Sequence, residues 1–144
     1  MSFLLDTNVV SELIARRPDP NVLRWVEAQD AETVFLSVLT VGELNRGIQR
    51  LPDSRRKKGL SNWLTGDLLV RFGDRVLPLD IPVMMSWGVL VARMEANGQL
   101  IPAIDSLLAA TAMQHGLAMA TRNTRDFKAT GVTIVNPWEP PPGG

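Results

Sequence analysis

No cysteine occurs among the 144 residues, which excludes a disulfide scaffold and any metal site built on thiolates. Net charge is missing too. Fifteen basic and fifteen acidic side chains balance to zero, so affinity for a polyanion has to come from local patches, with no global field behind it. There is no long apolar run. The most apolar segment, Ile81 to Ala92, is interrupted by Pro82, Ser86 and Gly88 and closed by Arg93, too short and too broken to cross a bilayer. The N-terminus lacks a basic stretch, and its first apolar run is far too short for a signal peptide. We therefore expect a soluble, cytoplasmic protein with no membrane partner. There is also no G-x-S-x-G elbow, no P-loop, no internal repeat and no low-complexity block. What is present suits one globular domain: 45% hydrophobic and 21% charged residues, in a chain long enough to bury a sizeable core.

The organising stretch is Phe3-Leu4-Leu5-Asp6-Thr7-Asn8-Val9-Val10. Its unbroken apolar start reads as a strand buried on both faces. Thr7 or Asn8 is expected to cap the helix that follows, which runs through Ala15 and stops near Arg16-Arg17, before Pro18 and Pro20. A helix over Asn21 to Gln29 follows, with Trp25 as a core or groove filler. Val34 to Val38 reads as a second strand, and Thr40 as the opening of a helix that ends before Pro52. A longer helical stretch spans Asp53 to about Val70, with Leu60, Trp63, Leu64, Leu68 and Leu69 on one face. Val76 to Asp80 is a third strand, pushed to a sheet edge by Pro78. Pro82 and Pro102 open helices stopped by Gly98 and Gly116. Leu117 to Thr121 and Val132 to Val135 complete five strands. Strands alternating with helices predict a three-layer α/β/α fold around a central, mainly parallel five-stranded sheet. Residues 1–137 form the domain and 138–144 a Pro/Gly-rich tail.

Four acids fall near the ends of strands or the starts of helices: Asp6 after strand one, Glu43 one turn into the helix after strand two, Asp105 in the first turn of the Pro102 helix, and Asp126 in the loop after strand four. Parallel strands share one carboxyl edge, so Asp6, Glu43 and Asp126 converge there, and Asp105, at a helix N-terminus, can point into the same crevice. Each also has an ordinary explanation. Asp6 can cap a helix, and Thr40-x-x-Glu43 fits a capping box. Asp105 suits a helix dipole, and Asp126 a turn. Together, however, they crowd carboxylates that repel unless protonated or bound to a cation. An all-oxygen donor set with no cysteine and one histidine points to Mg²⁺ or Mn²⁺, ions suited to phosphodiester hydrolysis. His115 stands alone near a helix C-terminus, where a histidine is usually a cap or a surface group.

Leu4-Leu5-Asp6-Thr7-Asn8, Thr40-Val41-Gly42-Glu43-Leu44, Ile104-Asp105-Ser106-Leu107-Leu108-Ala109-Ala110-Thr111-Ala112 and Ala120-Thr121-Arg122-Asn123-Thr124-Arg125-Asp126-Phe127 resemble PIN domains, and among them the VapC-type toxins. The closing Val135-Asn136-Pro137-Trp138 is similar to the FitB branch. The resemblance implies a Mg²⁺- or Mn²⁺-dependent endoribonuclease acting on RNA, forming a homodimer, and held inactive by a small VapB- or FitA-like antitoxin. By position, Asp6, Asp105 and Glu43 would be metal ligands and catalytic residues. Many relatives place an aspartate directly after Thr-Arg, where this chain has Asn123, so Asp126 becomes the fourth acid and Asn123 a supporting residue. Thr7 and Asn8 would orient Asp6.

Arg122 and Arg125 flank the acids and are candidates for touching substrate phosphate. Arg46, Arg50 and the run Arg55 to Lys58 form either a second basic face or a solvated one. Two rival readings remain: a catalytically silent PIN-like module that binds a partner or nucleic acid, and another Mg²⁺-dependent phosphoryl-transfer domain. A haloacid-dehalogenase-like phosphatase wants a second aspartate where Asn8 stands, and a receiver domain wants a lysine that Val135-Asn136-Pro137 lacks. For an antitoxin we expect an apolar groove near Leu13 and the Leu44 to Trp63 region, with an arginine reaching the acids.

Overall fold

The computed structural model describes residues 1–140, so most of the expected tail lies outside the described residues. Five strands, β1 (Phe3–Leu5), β2 (Val34–Ser37), β3 (Val76–Leu77), β4 (Ala118–Ala120) and β5 (Ile134–Val135), form one sheet in the order β3-β2-β1-β4-β5. Every pairing is parallel. β1 is the centre, as its unbroken apolar run demands, and β3, followed by Pro78, is an edge.

The three layers follow from strand alternation. Side chains of Phe3 and Leu5 enter one core with Val9, Val10, Val22, Val34 and Leu36, while Leu4 points to the opposite core with Leu108, Met119 and Phe127. Trp25 is half-buried against the first core and meets Phe3 edge-on, ring centroids 4.9 Å apart. The helices are α1 (Thr7–Leu13), α2 (Pro20–Glu27), α3 (Val38–Gln49), α4 (Arg55–Trp63), α5 (Leu69–Phe72), α6 (Ile81–Ala96), α7 (Ala103–Gln114) and α8 (Thr124–Lys128). Gly98 and Gly116 stop α6 and α7 with φ of 67° and 66°, values an L side chain rarely adopts.

Several details depart from the sequence reading. β3 stops at Leu77, and Asp80, expected at its end, is instead the N-cap of α6, its side chain accepting from the Val83 N–H. Asp6, and neither Thr7 nor Asn8, is the N-cap of α1, its side chain accepting from the Thr7 N–H. α3 begins at Val38 under a Ser37 cap, so Thr40 lies inside the helix. The long helix over 53–70 is interrupted by a π turn at Leu64–Leu68. Residues spaced strictly by four drift about 40° per step around a helix with 3.6 residues per turn. The wider turn takes up that drift and keeps Leu64, Leu68 and Phe72 all buried.

Candidate active site

Asp6 caps α1 and faces the carboxyl edge of the sheet. Its residue is 5% exposed, yet both carboxylate oxygens are held. Oδ1 accepts from the Thr7 N–H at 2.7 Å, and Oδ2 accepts from the Thr121 hydroxyl at 2.8 Å and from Asn8 Nδ2 at 3.3 Å. The Thr121 hydroxyl in turn accepts from the Asn123 N–H at 2.9 Å. β4 delivers Thr121 directly, because β4 pairs with β1 and the Asp6 N–H donates to Ala120 O at 2.9 Å. Burial pushes the Asp6 carboxyl above its ordinary pKa; the bonds from Thr121 and Thr7 work against that, and the charge of Glu43 adds to it.

Glu43 is not part of a capping box. With Ser37 capping α3, Thr40 has no free helix start to serve, and Glu43 Oε1 accepts instead from the Thr7 hydroxyl at 2.6 Å. The Thr7 and Thr40 hydroxyls lie 3.1 Å apart. A hydroxyl has one proton, and Thr7 gives its own to Glu43, so Thr40 is the donor of that pair. The hydroxyls thereby tie α1 to α3 and hold Glu43 at the crevice.

Asp105 sits in the first turn of α7, whose N-cap position is Pro102, with no side-chain cap. Among the described residues no donor bonds its carboxylate. Its pKa is pushed up to about 6, first by burial, then by the charges of Asp6, Asp126 and Glu43. Asp105 therefore feels the charge of each of the other three acids. Asp126, however, lies within the short helix α8 and not in a loop, and it is exposed.

The crevice is a cavity of about 450 Å³ whose walls include Asp6, Glu43, Asp105, Arg122, Asn123 and Trp138. Asn123, and not Asp126, stands on its wall. Among the described residues, no three acids form a ready-made ion cage. Mg²⁺ does not require such a cage, since it keeps several waters and uses one or two carboxylates plus substrate phosphate oxygens. The donors present, all oxygen, with two carboxyls disfavoured as bare anions, fit such an ion.

The PIN domain pattern matches residues 3–132. The chain belongs to the PIN-domain family. This PIN domain is 44% identical to VapC ribonuclease Y4jK of Sinorhizobium fredii over 95% of the chain and 98% of that protein. It is 39% identical to Toxin FitB of Neisseria gonorrhoeae over 94% and 97%. It superposes on the crystal structure of FitAcB from Neisseria gonorrhoeae with a TM-score of 0.91 and 39% identity, covering 95% of this chain and 99% of that one.

Sequence reasoning about this PIN domain missed four lining or supporting residues. Ser11 and Glu12 line the crevice three and four positions after Asn8 on α1, a spacing that puts them on one face and was available from the sequence. Glu12 Oε2 also accepts from the Asp19 N–H at 3.0 Å. Thr121 lies inside the Ala120 to Phe127 motif, where its spacing alone carries no signal of a bond to Asp6. Trp138 was assigned to the tail, yet it is half-buried against the first core and stacks its indole under Arg122, whose Cζ is 5.3 Å from the ring centroid. Of the residues expected to form an antitoxin groove, Leu44 is buried in the first core, whereas Leu13, Leu60 and Trp63 are half-buried against that core.

Proposed function

We propose that this PIN domain is a divalent-metal-dependent endoribonuclease and the toxin of a toxin–antitoxin pair, with Mg²⁺ or Mn²⁺ as cofactor. The observation that carries the reading is the pairing of Asp6 and Asp105: two carboxyls with raised pKa values in one crevice, with Glu43 beside them and Arg122 on the wall. Strong relatives named as a ribonuclease and as a toxin support it. So does the FitAcB structure, which makes a FitA- or VapB-like antitoxin the natural partner. The homodimer belongs to the same proposal.

Asp6 and Asp105 would hold the ion, with Glu43 reaching it directly or through water. When bound, the ion supplies an activated water and neutralises the charge that develops on the phosphate. The chain's own groups do the positioning. Thr121, Asn8 and the Thr7 N–H fix both oxygens of Asp6, and the Thr7 hydroxyl fixes Glu43. Arg122 offers its guanidinium to a non-bridging phosphate oxygen. Asn123 occupies the wall where a fourth acid would stand, and Asp126 acts from farther away, through its charge.

The test is RNA cleavage in EDTA and after adding excess Mn²⁺. Cleavage only after the addition, absent in Asp6→Asn and in Asp105→Asn, supports the reading. RNA left intact with metal present leaves the silent, partner-binding module.

A further inference from the structure

Next to the crevice, across the chain that follows β5, lies a second hollow. It has a volume of about 530 Å³ and is lined by Thr124, Arg125, Lys128, Ile134, Asn136 and Glu139. Arg122, Arg125 and Lys128 occur at every third position and are all exposed. Arg125 and Lys128 share a face of α8. Among the described residues the only salt bridge is Lys57–Asp53, so all three cations stand without a carboxylate within ion-pair distance, Glu139 in the hollow and Asp126 on α8 included.

The segment Asn136 to Glu139 forms a rib between the two hollows and is held in place at several points. Asn136 Oδ1 accepts from the Trp138 N–H at 2.9 Å, Asn136 O accepts from the Glu139 N–H at 3.1 Å, and Trp138 O accepts from Asn21 Nδ2 at 3.0 Å. Trp138 lines the crevice, whereas Asn136 and Glu139 line the hollow. The indole carries Arg122 on its face, which fixes a flexible cation at the junction.

Resting on the ribonuclease reading above, we infer that the α8 hollow is a second phosphate-binding subsite for the same substrate strand. Single-stranded RNA then leaves the acidic crevice across Arg122 and lays its next phosphates against Arg125 and Lys128. A polynucleotide cut internally has to extend beyond a crevice of this size, and the cations of the neighbouring hollow supply the sequence-independent attraction. Trp138 is a positioning residue, acting through Arg122.

The experiment is fluorescence anisotropy of a labelled single-stranded RNA of about a dozen nucleotides, in EDTA, across a salt series. The proteins are wild type, Arg125→Gln/Lys128→Gln, Arg55→Gln/Arg56→Gln, Trp138→Phe and Trp138→Ala, each checked for an unchanged melting temperature. Losing two phosphate contacts should lower the slope of log affinity against log salt by about 1.4, at about 0.7 per contact for a single strand. The proposal predicts that fall for Arg125→Gln/Lys128→Gln alone of the two double variants, and weaker binding for Trp138→Ala with recovery in Trp138→Phe. A wild-type slope in Arg125→Gln/Lys128→Gln, or an equal fall in Arg55→Gln/Arg56→Gln, overturns it. If wild type binds with the predicted pattern yet never cleaves with Mn²⁺, the subsite stands and the ribonuclease reading fails. If wild type cleaves but the slopes coincide, the reverse holds. If wild type does not bind RNA at all, both fall.

Discussion

Thr121 shows how much of this site rests on a single hydroxyl. It donates to Asp6 Oδ2 and accepts from the Asn123 N–H, so it links the central acid to the wall residue. Its bond holds down the pKa of a carboxyl that burial raises. Thr121→Val keeps the shape and removes the donor. The acidic limb of the pH–rate profile should then move to higher pH, while Thr121→Ser leaves it in place. Measuring cleavage from about pH 5 to about pH 8 decides this, and coincident limbs in all three proteins would show that Thr121 does not tune Asp6. The acids also have a rank. Asp126 is exposed and off the crevice wall, so Asp126→Asn should retain most of the cleavage that Asp6→Asn loses. Equal loss in the two variants would place Asp126 in the metal's coordination shell.

At the scale of elements, the start of α3 decides whether Glu43 is free for chemistry. Ser37 is buried and accepts from the Leu39 N–H at 3.0 Å; its loss in Ser37→Ala should cost about 1 kcal/mol, the usual value of an N-cap. Chemical denaturation of Ser37→Ala and Thr40→Ala provides the measurement. If Thr40→Ala lost a cap's worth of stability and Ser37→Ala lost none, the capping box would be real and Glu43 a structural residue. The elements themselves were largely legible. Phe3–Leu5 carries no polar interruption, Pro82 and Pro102 mark helix starts, and Gly98 and Gly116 mark helix ends. The boundaries were not legible where two residues competed for one role, as Ser37 and Thr40 did, because local spacing cannot say which hydroxyl a distant helix will engage. The π turn was hidden for a similar reason. The series Leu64, Leu68, Phe72 looks helical, and only packing against a fixed core reveals that its step is too long for an uninterrupted α-helix. Trp138 gave no local signal at all; its place depends on Asn21, which lies 117 residues away.

For the whole molecule, parallel β1, β2 and β4 bring remote carboxylates to one edge, and the cost of that arrangement has a sign. Asp105 keeps its proton in the folded state up to a pKa of about 6, against an ordinary 3.8, and the Asp6 pKa is raised in the same direction. The folded protein thus holds more protons than the unfolded chain across that window. Metal-free stability conferred by the protonated form is present below about pH 4 and is lost as pH rises through about 6. Asp105→Asn should therefore melt higher than wild type in EDTA near neutral pH, with a smaller difference between about pH 5 and about pH 7.5. A mutant that melts lower in EDTA would make Asp105 a helix-start acid.

Whether these acids form one cation site is decided by calorimetric titration of Mn²⁺ into the metal-free protein. The predicted result is saturable binding by wild type, retained in Asp126→Asn and lost in both Asp6→Asn and Asp105→Asn. Undiminished binding in Asp105→Asn, or none in wild type, would contradict it.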